Sequence, residues 1–191
     1  VEVLHILEKV GWWGHLAGVL GFLMYLSISK HLHILLAFPN TYFSRQTPKG
    51  YMDNMESVTR EVKLMMDPNA AVPESTEEGP VKFGAKDVTD LSWKNLLDAY
   101  TCTECGRCTA QCPANITGKK LSPRTIMMKT RDRLEEVGKN IDANGGIWKD
   151  DGKSLIDNGY ISVEELRACT TCNACVEECP VNISPLNIIL Q

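Results

Sequence analysis

Residues 101–114 read TCTECGRCTAQCPA, and residues 168–181 read ACTTCNACVEECPV. Cysteines fall at the same offsets in both: Cys102, Cys105, Cys108 and Cys112, then Cys169, Cys172, Cys175 and Cys179, with Pro113 and Pro180 after the fourth. These are all eight cysteines of the 191-residue chain, so none is left over for a disulfide framework. Two residues between cysteines make a loop tight enough for three thiolates to converge, with backbone N–H groups turned inward. Thr103, Gly106 and Thr170 suit such a loop. The pattern points to metal.

Each run is C-x2-C-x2-C-x3-C-P, the spacing by which bacterial ferredoxins hold cubic iron–sulfur clusters, three thiolates on one cube and the fourth on the other. That rule assigns one 4Fe-4S cluster to Cys102, Cys105, Cys108 and Cys179. It assigns a second to Cys169, Cys172, Cys175 and Cys112. Zinc is the competing reading, since two C-x2-C pairs supply a closed tetrahedral site. It accounts for four cysteines but not for a third at equal spacing and a fourth before proline in both copies. Disulfides would also require an oxidising compartment.

Cys112 and Cys169 lie 57 positions apart, so something is inserted between the runs. Ser122 with Pro123 starts a helix whose face carries Ile126, Met127, Thr130, Leu134 and Val137, up to Gly138. Ser162 and Glu165 form a capping box before a short helix leading to Cys169. Ser92 caps another, with Trp93, Leu96, Leu97 and Tyr100, that delivers the chain to Cys102. Helices around both runs predict an alpha-helical ferredoxin domain over residues 87–191. Lys119, Lys120, Arg124, Lys129, Arg131 and Arg133 gather between the runs. They read first as a solvated helix face, with tuning of a cluster or reception of an acidic partner as the alternative.

The cysteine runs resemble the iron–sulfur electron-carrier portion of heterodisulfide reductase, anaerobic glycerol-3-phosphate dehydrogenase and related complexes. The likeness extends from about Val81 to Pro185. It implies an oxidoreductase subunit that passes electrons and has a soluble redox partner protein.

A second signal lies near the N-terminus. From Val10 to Ser29, VGWWGHLAGVLGFLMYLSIS has no formal charge, and as a helix it covers about 30 Å, the thickness of a bilayer's hydrocarbon layer. Trp12, Trp13, Tyr25 and Lys30 sit where interfacial anchors belong. Residues 1–38 are accordingly read as a transmembrane helix. Lys30, Arg45 and Lys49 follow the span against Lys9 alone before it, which predicts a cytoplasmic C-terminal part. If the helix continues through His33, His15 and His33 share one face about 27 Å apart, a spacing for two haem irons. His31 points elsewhere. The stretch WWGHLAGVLGFLMYLSISKHLHILLAFPN resembles the late helix of the gamma subunit of respiratory nitrate reductase and of its relatives in membrane heterodisulfide-reductase-like complexes. That resemblance implies b-type haem at His15 and His33, completed by helices or subunits outside this stretch. It also implies electron exchange with the quinone pool.

Residues 39–86 join the two parts. Pro39 is expected to end or bend the helix. Tyr51–Met66 reads as an amphipathic helix with Met52, Met55, Val58, Val62 and Met66 on one face, packing on the soluble domain or a neighbouring subunit. Asp67–Lys86, with three prolines, reads as an exposed connector.

The fold class is thus mainly α: a single transmembrane helix followed by an alpha-helical ferredoxin domain holding two 4Fe-4S clusters in the cytoplasmic membrane. A net charge of -4 gives no basic footprint for nucleic acid. The chain opens on Val1 with Glu2 and Glu8 close behind, unlike a secretory signal, and reads as beginning inside a longer gene product. The alternative function is a fragment of a catalytic heterodisulfide-reductase-like oxidoreductase, whose relatives carry further cysteine-rich CCG segments. A metal-stabilised scaffold is the third. No catalytic residue is identified.

Overall fold

A computed structural model describes residues 1–48, 50–67, 83–156 and 159–191. It is mainly helical, and no strand forms among the described residues beyond a single bridge between Ile156 and Ile161.

Helix α1, Glu2–Ile28, has Leu26 as its one buried residue. At 1.5 Å per residue its 27 residues span about 40 Å, and among the described residues it is the one helix long and apolar enough to cross a membrane. Trp12, Trp13, Phe22 and Tyr25 all face outward, which an aqueous surface would penalise and hydrocarbon would not.

The helix stops earlier than the sequence suggests. Ser29 turns extended (φ −115°, ψ 169°), and a new helix, α2, runs Leu32–Tyr42. His15 and His33 therefore stand on different helices, which removes the shared face and the 27 Å spacing that depend on one continuous rod. The polar run from Ser27 to His31 supplies the reason. The Ser27 hydroxyl bonds back to the Met24 carbonyl, and the His33 Nδ1 to that of Lys30, so side chains compete for the backbone acceptors. Pro39 does not end α2 either. The helix passes through it because the next residue, Asn40, is 1% exposed and anchored by tertiary hydrogen bonds.

Helix α3 starts at Glu56 and ends at Met66, five residues shorter at its N-terminus than the amphipathic pattern suggests. Asp53 is occupied instead by Arg45 and by Asn187 Nδ2 at 3.1 Å. No residue of α3 is fully buried, and Ser57, Thr59, Arg60, Glu61 and Leu64 are half-buried. The connector expected over Asp67–Lys86 falls largely on residues 68–82, outside the described residues.

Helix α4, Trp93–Thr101, is capped by Ser92 and lies against α2, with Phe43 edge-on to Trp93 at 5.1 Å between ring centroids. Two short turns, α5 (Arg107–Ala110) and α6 (Pro113–Ile116), follow, and then the longest helix of this part, α7 (Pro123–Ala143), capped by Ser122. It runs five residues beyond Gly138, because a glycine costs only about 1 kcal/mol in a helix. The stop comes at Gly145 and Gly146, both at positive φ, with Gly146 N–H closing on the Ile141 carbonyl at 2.9 Å. Ile126, Met127 and Val137 of α7 meet Val88, Leu91, Ala99, Leu121, Leu155, Ile161, Ile183 and Ile188 in one core. Helices α8 (Val163–Arg167, with the Ser162–Glu165 capping box), α9 (Ala174–Glu177) and α10 (Pro185–Leu190) complete the chain.

Candidate metal centres

Both cysteine loops share one backbone signature. The second residue after the leading cysteine is left-handed in each, Glu104 at φ 56° and Thr171 at φ 54°. So is the fourth, Gly106 at 82° and Asn173 at 60°. For Glu104 and Thr171 this conformation costs about 1–2 kcal/mol, and it persists only where surroundings impose it. It directs backbone donors at sulfur. Thr171 N–H donates to Cys169 Sγ at 3.4 Å, and beyond the second run Ile183 N–H donates to Cys179 Sγ at 3.4 Å. The loops then pass into α5 and α9, which lie against each other and bring the two runs together.

Cys102, Cys105, Cys108 and Cys179 line one small, partly open cavity, with Arg107, Arg124, Met127 and Ile183 in its wall. Three thiols come from the first run and the fourth from the second. Burial pushes Cys108 up to about 11, and the Cys102, Cys179 and Cys105 thiols beside it push the same way. The other four are also neighbours. Burial drives Cys175 up to about 12, reinforced by Cys108, Cys169, Cys112 and Cys172, and Cys169 rises through burial against the Thr171 N–H, with Cys112 and Cys172 adding to the rise. Crowded, half-buried sulfurs hold protons tightly when alone, and a cation is what lets them ionise together.

Four thiols around one pocket, three from one run and one from the other, are a donor set that fits a 4Fe-4S cube.

The basic cluster between the runs is largely neutralised. Lys129 pairs with Glu165 at 2.9 Å, Lys120 with Glu164 at 2.6 Å and Arg131 with Glu104. Arg133 is not a surface residue at all. It is fully buried, grips both carboxylate oxygens of Asp87, bonds Asp151 at 2.6 and 2.9 Å, reaches Glu136 at 3.3 Å, and stacks over Trp148. Arg124 alone of the six lines the first cavity. Glu104 is the residue that sequence reasoning missed. Burial alone would raise its carboxyl, but Arg131 and then Lys30 outweigh that and hold it below the ordinary carboxylate range.

Of the two histidines, His15 is exposed on α1, where a Cβ built on Gly11, Gly14 or Gly18 would meet nothing within 4 Å. His33 is half-buried on α2 with its ring 6.3 Å from that of His31.

Residues 101–183 match the family described as 4Fe-4S dicluster domain. Over 92% of its length the chain is 31% identical to a probable iron-sulfur-binding oxidoreductase, FadF, of Bacillus subtilis, covering 26% of that protein. Over its whole length it is 26% identical to an EtfAB:quinone oxidoreductase of Syntrophomonas wolfei, again 26% of that protein. Over 60% of its length it is 32% identical to a probable membrane-anchored ferredoxin of Chromohalobacter salexigens, covering 19% of it. The chain thus spans about a quarter or less of these relatives. No solved structure matches. The domain match and the eight cysteines support iron–sulfur clusters, and the apolar helix together with the membrane-anchored relative supports membrane association.

Proposed function

We propose that this chain is the electron-carrying portion of a membrane-bound iron–sulfur oxidoreductase, exchanging electrons between a quinone site in the bilayer and a soluble redox partner. The observation that carries it is the mixed cavity, three thiols of the first run with Cys179 of the second. On this reading Cys102, Cys105, Cys108 and Cys179 hold one 4Fe-4S cluster, and Cys169, Cys172, Cys175 and Cys112 hold the other. Bound there, each cube supplies a one-electron couple and no proton chemistry.

The chain's own residues do the rest. The left-handed residues of each loop aim N–H groups at sulfur, which offsets thiolate charge. Arg107 and Arg124 place positive charge at the wall of the first cavity, favouring the more reduced, more anionic state. Met127 and Ile183 exclude water from its inner side. In domain terms, residues 1–38 are assigned to the membrane part, 39–86 to a tether and 87–191 to the ferredoxin part, with the last facing the cytoplasm. The assignment of residues 32–38 to the membrane part is narrowed by the break at Ser29. His15 is proposed as one axial ligand of a b-type haem whose second ligand lies on a helix outside this chain. His33 is proposed for the same role at a second haem, from α2 rather than from the helix that carries His15.

The test is the content of iron and acid-labile sulfide in the purified membrane complex, followed by an EPR redox titration. About eight of each per chain and two reducible cubes are expected. A colourless protein carrying zinc would replace the proposal with the scaffold reading.

A further inference from the structure

We propose that the cavity lined by Cys102, Cys105, Cys108 and Cys179 is the membrane-facing redox station of this chain, and that Glu104 is the positioning residue that fixes it to the elbow between α1 and α2. This rests on the iron–sulfur reading above.

Both loops that supply this cavity are attached to the segment leaving the membrane helix. Lys30, two residues past the end of α1, reaches Glu104 at 3.4 Å, and Glu104 lies between Cys102 and Cys105. The same carboxylate is gripped from behind by Arg131 of α7, one-tenth exposed. At the far end of α2, the buried Asn40 donates to the Val181 carbonyl at 2.9 Å, two residues beyond Cys179. Asn40 also accepts from Lys94 at 2.8 Å, and Lys94 pairs with Asp98 on α4, the helix that ends at Cys102. One end of α2 is thus tied to the first loop and the other to the strand of chain bearing the fourth thiol. The loop of Cys169, Cys172 and Cys175 is reached from further along, where Asn173 Nδ2 donates to the Gly50 carbonyl at 3.3 Å.

Two physical consequences follow for Glu104. Its backbone, held left-handed, sets the turn from Cys102 to Cys105. Its fixed negative charge acts on the nearer cluster and falls off before the farther one. Removing that charge, with Arg131 left behind, favours the reduced state at one site only. The Lys30 ammonium acts in the opposite sense and more weakly, because it is mostly exposed and screened.

The experiment uses the complex in nanodiscs, wild type against Glu104→Gln, Glu104→Asp and Lys30→Met. Each cluster's midpoint is read by EPR redox titration, and its spin relaxation is read with and without a nickel-chelating lipid. Glu104→Gln is expected to raise the midpoint of one cluster and leave the other in place, with Glu104→Asp restoring it. Lys30→Met is expected to lower the midpoint of that same cluster slightly. The responding cluster should be the one whose relaxation the nickel lipid enhances more. If the responding cluster is instead the less enhanced of the two, or both midpoints move together, the station is misassigned. Should Glu104→Gln lose its clusters, Lys30→Met carries the test alone. Absence of acid-labile sulfide in the wild type overturns the underlying iron–sulfur reading, an outcome distinct from a shift at the wrong cluster.

Discussion

Arg133 shows what a single side chain does when its charge is taken out of water. Its guanidinium is held charged by Asp151 and Asp87, well above its usual range, and no solvent reaches it. Arg133→Ala would leave Asp87 and Asp151 facing each other without a cation, at a cost of about 3–5 kcal/mol, visible as a lowered unfolding midpoint. Acid acts on the same group of contacts. Arg133 pulls the Asp151 carboxyl down to about 2, and Lys153 and then Tyr160 pull Glu136 down to about 2. Carboxylates depressed in the folded state stabilise it fully above their ordinary range near 4 and stop doing so as pH falls through 2. The segment following α7 should therefore loosen between about pH 4 and pH 2, read by hydrogen exchange at residues 144–156. None of this was legible in the sequence, where Arg133 is the last of six basic residues gathered from Lys119 onward. Its partners at positions 87 and 151 become neighbours only once the insert folds back. The eight cysteines and Gly106 were legible, because a ligand loop imposes its spacing locally. The left-handed Glu104, Thr171 and Asn173 were not, since nothing in those residue types demands that conformation. Thr171→Pro, which fixes φ near −65° and removes the donor to Cys169, should reduce iron content by about half if only the second site fails.

Among the elements, those announced by caps formed where their signals lie: Ser92 before α4, Ser122 with Pro123 before α7, and Ser162 with Glu165 before α8. At one of the misses, tertiary contacts override a local signal. Pro39 sits inside α2 because packing on α4 and the bonds of Asn40 outweigh the lost backbone donor. Asn40→Leu should accordingly be costly despite its apolar gain, since it strands the Val181 carbonyl and removes one of the two acceptors of the Lys94 ammonium. A loss of about 1–3 kcal/mol is expected, with faster proteolysis across α2 as the direct readout.

At the scale of the whole molecule, the insert between the runs is a structural clamp. Helix α7 packs on α4, α5 and α10, so the loops it separates by 57 positions are pressed together by its core face. The apolar helix α1 joins it at one side through an elbow that touches the first loop. The ferredoxin part is expected on the cytoplasmic side, since Lys30 and Arg45 follow the span. Protease should cut it in inverted vesicles and spare it in right-side-out spheroplasts.

The central claim is that each cube takes three thiolates from one run and its fourth from the other. EPR spectra of Cys105→Ser, Cys172→Ser, Cys179→Ser and Cys112→Ser variants test it most directly. Cys179→Ser should perturb the signal that Cys105→Ser perturbs, and Cys112→Ser the signal that Cys172→Ser perturbs. Cys179→Ser acting on the same cluster as Cys172→Ser would contradict the account.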